Sequence, residues 1–284
     1  MAGWSRTSRA LIMAVWAAAG LTASAGTAGA TTTGTGTPPS SSTLVAQSTA
    51  QSPLDQGIAA FEAGREADAV ALLTPLAERG DAEAQTYLGW IYEEPSVTIA
   101  GQGSRPRFIH DNTKARAWYE KAAAQGQAHA LNNLGSLYFL GRGVPQDPAK
   151  GLALFKRAAA KGDLQAQKNL AAIYSYGFGV LKEPQEGFKW AVRAAEQGDE
   201  DAMYNLSVLY DAGEGAPHDP LAAYILLGLS HVKTSDAAIL KARLERQLSA
   251  EQRDSAWAKV ADWHAGTPLP LPLHAQGLLH PAGD

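Results

Sequence analysis

An all-α solenoid, built by stacking helix–turn–helix repeats, is the fold that this 284-residue sequence predicts. Two observations predict it. The segment Gln127–Gly162 recurs in frame as Asp163–Gly198 and again as Asp199–Thr234, a 36-residue period, and a fixed period of about 20–50 residues marks a repeat array. Within each copy the apolar residues fall three and four apart in two separate runs, each of which is one face of an α-helix. A further copy, Asp81–Gly126, fits the frame once ten extra residues are admitted, and Leu54–Gly80 reads as a shorter opening repeat.

Ahead of the array, residues 1–30 read as an export signal. Arg6 and Arg9 precede an apolar run, Ala10–Leu21, and small residues at Ala23–Ala25 or Ala28–Ala30 offer a cleavage site, with cleavage expected after Ala30. The run is too short and too rich in alanine and glycine to span a bilayer comfortably. Residues 31–53, rich in Thr, Ser, Gly and Pro, carry too little apolar surface to offset the cost of ordering and read as a flexible linker. There is no cysteine, which excludes disulfides, thiolate catalysis and Cys-ligated metals. The full sequence has a formal charge of −4, and loss of the signal removes only basic residues, so the balance argues against a nucleic-acid partner.

In each repeat the first helix, A, carries TYLGWIY, NNLGSLY, KNLAAIY or YNLSVLY, ending at Tyr92, Tyr138, Tyr174 and Tyr210. Leu88, Leu134, Leu170 and Leu206 stand four residues before those tyrosines, on the same helical face. The small residues Gly89, Gly135, Ala171 and Ser207 follow the leucines and let helix A approach its partner closely. Paired glycines then make the turn, as in Gly141–Gly143, Gly177–Gly179 and Gly213–Gly215. No lysine-serine follows them and no strand precedes them, so they are not a phosphate loop. The second helix, B, opens with Asp147-Pro148, Glu183-Pro184 or Asp219-Pro220, and with Asp111-Asn112 at the same phase: a capping carboxylate, then a residue that needs no donor. Trp118, Leu154, Trp190 and Leu226 share its core position, and Gly126, Gly162 and Gly198 stop it. Pro75 falls inside the second helix of the opening repeat and is expected to kink it. Residues 235–266 predict two capping helices, the second with a capping box at Ser249 and Gln252. The Pro/Leu-rich tail, residues 267–284, reads as extended and poorly ordered.

The combined pattern A-x-x-N-L-G-x-x-Y, G-x-G-V, D-P-x-K-A and W-x-x-K-A-A-x-x-G resembles the Sel-one-like repeat, a relative of the tetratricopeptide repeat. The resemblance covers Leu54 to about Thr234 and implies a right-handed α-solenoid that makes protein–protein contacts, often in exported bacterial proteins. Ser230-His231 and Thr234 depart from the pattern, which suggests that the regular array stops there.

By the same resemblance, Asn133, Asn169 and Asn205 line a concave helix-A groove as a ladder of amides. Amides both donate and accept, which suits the backbone of an extended peptide; alternatively they bind neighbouring loops and stabilise stacking. Residues that vary at groove-facing phases are candidates for specificity: Tyr87, Trp90, His129, Lys168, Tyr176 and Tyr204. Trp90 is either an interface anchor or a side chain buried under the insertion that follows it. That insertion, Glu93–His110, carries Arg105, Arg107 and Phe108, a small basic patch with an aromatic, and is either functional or a tolerated excursion. His110-Asp111 and His218-Asp219 are read as helix starts rather than catalytic or metal sites, and no metal-ligand spacing or nucleophile elbow appears.

The expected function is a non-enzymatic adaptor or scaffold of the bacterial envelope, periplasmic, without cofactor or metal. Its partner would be another envelope or secreted protein. Two alternatives stand beside it: a cell-wall or polysaccharide-processing enzyme using carboxylates such as Glu83 and Asp201, and a secreted factor directed at a host.

Overall fold

The computed structural model describes residues 52–93 and 111–271. The export signal, most of the linker, the insertion with Arg105, Arg107 and Phe108, and the end of the tail lie outside the described residues.

Twelve helices, and no strands, make up the described residues. Helices α1 (Pro53–Glu62) and α2 (Glu66–Glu78) form the opening repeat. Four repeats follow: α3 (Ala82–Tyr92) with α4 (Asn112–Ala124), α5 (Ala128–Leu140) with α6 (Pro148–Ala159), α7 (Leu164–Tyr176) with α8 (Pro184–Glu196), and α9 (Glu200–Ala212) with α10 (Pro220–Leu229). Helices α11 (Ser235–Glu245) and α12 (Ala250–Asp262) pack on α10 and close the stack. Odd-numbered helices through α9 are the A helices and even-numbered ones through α10 the B helices.

Every A helix after the first begins on a polar N-cap. The side chains of Asp81, Gln127, Asp163 and Asp199 each accept from the backbone N–H three residues on. Three of the four B-helix caps hold as expected, at Asp111, Asp147 and Asp219. Glu183 is the correction: it occupies the cap position, but its side chain makes no capping hydrogen bond, since one extra methylene takes the carboxylate past the free N–H groups that aspartate reaches. Pro75 lies inside helix α2, as expected.

The second glycine of each turn also joins the repeats. A Cβ on Gly143 would sit 2.7 Å from Asn112 Cβ, on Gly179 3.1 Å from Pro148 Cβ, and on Gly215 2.5 Å from the Pro184 carbonyl. Each of these neighbours starts the B helix of the preceding repeat, and all three glycines have positive φ. Glycine is therefore required there twice over, by backbone conformation and by the close approach of the neighbouring repeat. Inside the repeats, Gly89 faces the Tyr119 ring, and Gly135 and Gly151 bring α5 and α6 together backbone to backbone.

The core lies between the A and B layers, in successive clusters along the stack. Leu88, Leu134, Leu170 and Leu206 are all buried, as are Leu154, Trp190 and Leu226, with paired alanines from the B helices between them. The array ends where its pattern lapses: α10 stops at Leu229, and His231 takes a left-handed backbone conformation at φ 50°. The start of the tail is not loose. Leu269 and Leu271 are buried in the terminal core cluster while the Trp263 indole N–H donates to the Thr267 and Pro268 carbonyls; alternation sends the leucines inward.

Tyr92 O accepts from Asp111 N at 2.8 Å, the bond that Tyr138 O makes with Asp147 N and Tyr174 O with Glu183 N. The insertion therefore leaves and rejoins the stack at the same point as the regular turns.

Candidate functional site

At the N-terminal end of the stack successive A helices touch one another, α1 with α3 and α3 with α5. Side chains also bridge A helix to A helix across repeats: Phe61 to Trp90, Trp90 to His129, Asn132 to Asn169, and Lys168 to Asp201. Successive A helices are thus linked along one side of the stack, the side that the resemblance to tetratricopeptide arrays makes the inner one.

At its N-terminal end this side carries an aromatic cluster. Tyr87 and Trp90, one turn apart on α3, meet edge to face with centroids 4.9 Å apart. Phe61 from α1 meets Tyr87 edge to face at 5.7 Å and lies nearly parallel to Trp90 at 6.4 Å. His129 from α5 sits 6.1 Å from the Trp90 ring. The three aromatic side chains are half-buried and His129 is exposed. Burial raises the Tyr87 phenol above its ordinary pKa, and the carboxylates of Glu83 and Glu62 raise it further. His129 Nδ1 lies 2.6 Å from Asp163 Oδ2, a contact that raises the imidazole pKa even though its partial burial works the other way.

Of the sequence candidates, Tyr87, Trp90 and His129 are thus brought together, and Phe61 joins them. Phe61 was not singled out from the sequence, although it is the one aromatic residue in Leu54–Gly80. Lys168 lies farther along the same side and is committed, with its ammonium 2.9 Å from Asp199 and 3.5 Å from Asp201. Tyr204 is half-buried against the C-terminal core, and Tyr176, 58% exposed, packs on Phe178 beside the α7 turn. Glu83 and Asp201, the carboxylates weighed for acid–base work, have different partners: Glu83 acts on Tyr87 and His129, Asp201 on Lys168.

The asparagines do not form one open ladder. Asn169 is buried, accepts from Gln165 and donates to Asn132 Oδ1. Asn132, also buried, donates in turn to Asn133 Oδ1. Asn133 is half-buried and acts on the Tyr119 hydroxyl, whereas Asn205 is exposed. Tyr119 donates to Glu93 Oε2 at 2.7 Å, and Arg142 holds Glu93 Oε1 at 2.7 Å and also donates to Ser136. Burial raises the Glu93 carboxyl pKa, against the opposing pull of Arg142, and pushes the Tyr119 phenol well up. This polar chain spans three repeats behind the inner side. The sequence signals missed it because Glu93, Tyr119 and Arg142 share no repeat phase.

Among the described residues, no group of three His, Asp or Glu side chains could hold a metal ion, and no helix is long and apolar enough to cross a membrane.

The Sel1 repeat family model matches residues 82–127, 128–163, 164–199 and 200–230, more than half of the chain. The chain belongs to the Sel1 repeat family, whose members generally mediate protein–protein interaction. It is similar to the crystal structure of a Sel1 repeat protein from Oxalobacter formigenes, at 26% identity and a TM-score of 0.57, over 73% of this chain and 83% of that one. It is also similar to c5321, a protective antigen of uropathogenic Escherichia coli strains displaying an SLR fold, at 26% identity and a TM-score of 0.55 over 76% of this chain. The match spans 50% of that protein's length. Among curated proteins, no sequence matches this chain.

Proposed function

We propose that the protein is a non-enzymatic scaffold of the bacterial cell envelope, exported to the periplasm, that holds a segment of another envelope or secreted protein along the inner A-helix side. One observation carries this reading. Phe61, Tyr87 and Trp90 gather half-exposed on that side, although the equivalent positions of Trp90 in later repeats hold Ser136, Ala172 and Val208. Stacking of the repeat does not demand a large aromatic at that phase, and rigid aromatic side chains are the usual anchors of protein interfaces. The amide chain through Asn169 and Asn132 then stiffens the wall behind the site, and Asn205 is left as the amide free to meet a ligand.

The test is site-specific photocrosslinking in cells, with the crosslinker placed at Tyr87, Asn205 or, on the outer layer, Ala153. One envelope protein captured at the inner positions and absent at Ala153 is the expected result. Equal capture at all three positions, or none at the inner ones, overturns the reading.

A further inference from the structure

We propose that Phe61, Tyr87 and Trp90 form a three-sided aromatic pocket for an ammonium group, and that its occupant is a lysine side chain of the partner polypeptide. The occupant rests on the scaffold reading above; the pocket does not.

The three rings stand close together, near-parallel in one pairing and near-perpendicular in the other two. Phe61 and Trp90 lie within 19° of parallel, with centroids 6.4 Å apart, and Tyr87 stands at 76° to one and 86° to the other. Ring faces carry the negative end of the aromatic quadrupole, so several faces converging on one point favour a cation there. The carboxylates agree with the rings. Glu83 precedes Tyr87 by one helical turn and Glu62 adjoins Phe61, and both act on the Tyr87 phenol.

The rest of the chain supplies the contrast. Lys114 lies over Tyr92, Lys121 over Trp118, Lys150 over Tyr138, Lys156 over Tyr174, Arg193 over Trp190 and Lys241 over Trp257. No Lys or Arg stands over the pocket rings among the described residues; His129, 6.1 Å from Trp90, is held by Asp163, and two carboxylates are at hand. A compact ammonium suits a three-sided pocket better than guanidinium, whose plane stacks on a single face.

The probe is a blocked Ala-Lys-Ala tripeptide, set against the same peptide with norleucine, which replaces the ammonium with a methyl group and keeps the shape. Binding to the mature full chain is followed through the tryptophan indole N–H signals by NMR. The lysine peptide is expected to shift the Trp90 signal saturably and to bind about tenfold more tightly than the norleucine peptide. Phe61→Leu, which keeps the Trp90 signal as reporter, removes the binding, and Glu83→Gln, an exposed change that leaves the stack intact, weakens it severalfold. Equal binding of norleucine overturns the proposal, because the cleft is then merely apolar. So does a lysine shift that survives both substitutions, or a saturable response to N-acetylglucosamine with none to lysine. Partner crosslinking at Tyr87 without lysine binding removes the pocket and leaves the scaffold; lysine binding without any crosslinked partner does the reverse.

Discussion

Asn169 on α7 donates its side-chain amide to the Asn132 carbonyl oxygen on α5, 2.9 Å away across a repeat boundary, and both residues are buried. The bond joins two A helices where no backbone ladder can. Asn132→Ala strands the Asn169 donor in the interior, and leaving a buried amide unsatisfied costs about 1–3 kcal/mol. Urea unfolding should show that loss for Asn132→Ala, against a change of about 0.5 kcal/mol or less for the exposed Asn205→Ala. Equal effects at the two positions would contradict the distinction between structural and surface amides.

Gly89 gives a steeper test of the packing. A Cβ there would stand 2.2 Å from the Tyr119 ring, which is fully buried and tied through its hydroxyl to Glu93. The ring has nowhere to withdraw without breaking that bond. Gly89→Ala should therefore destabilise by about 1–3 kcal/mol or more, as overpacking does, even though alanine is the better helix former by about 1 kcal/mol. A melting temperature equal to or above that of the parent would show that α3 and α4 can part freely.

The balance of what the sequence made legible follows from the range of each interaction. Caps, turns and the core leucines are local or periodic, so repeat phase located them: Asp147 caps α6, Gly143 turns with positive φ, and Leu170 is buried. Asn169 was legible as a recurring amide, but its burial depends on Asn132 in the neighbouring repeat, a residue whose phase is otherwise held by Thr86, Lys168 and Tyr204. Lys168 reads as free from spacing alone, whereas Asp199 and Asp201 from the next repeat claim it. Phe61 and Trp90 meet because α1 stacks on α3. Single-repeat periodicity carries no term for that contact.

Arg142 and Glu93 make a half-buried ion pair at 2.7 Å, with Tyr119 donating to the other carboxylate oxygen. Arg142→Met leaves the carboxylate without its cation, and because the pair is only half-buried the cost should be about 1–3 kcal/mol at pH 7. Burial already holds the Glu93 carboxyl above its ordinary pKa, and Arg142 opposes that rise; removing the arginine lifts it further. A folded-state pKa above the unfolded one means that the folded protein takes up the proton first as pH falls. The variant should therefore recover much of its deficit as pH falls from 7 toward the unfolded carboxyl value of about 4.3. Denaturation curves at those two pH values check this, and a deficit that does not shrink on acidification would show that the lost Ser136 contact, rather than the unpaired charge, dominates.

His129 sets the pH response of the aromatic end. It faces Asp163 from α7, at 2.6 Å, Glu83 from α3, and the Trp90 ring. The hydrogen bond to Asp163 raises its folded-state pKa, with both carboxylates adding to the rise and partial burial opposing it. A raised histidine pKa contributes stability that is fully present below the unfolded value of about 6.5, provided the carboxylates are ionised, and that is lost as pH rises through the folded value. Its side chain is 60% exposed, so solvent screening keeps the contribution at roughly 1 kcal/mol or less. The stability difference between the parent and His129→Gln should thus be largest from about pH 5 to 6.5 and decline above pH 7. Parallel chemical unfolding at pH 6 and pH 9 measures it. A difference that is the same at both values would mean that Asp163, already bonded to the Ala166 N–H as the α7 cap, holds His129 as a neutral donor and gains nothing from its charge.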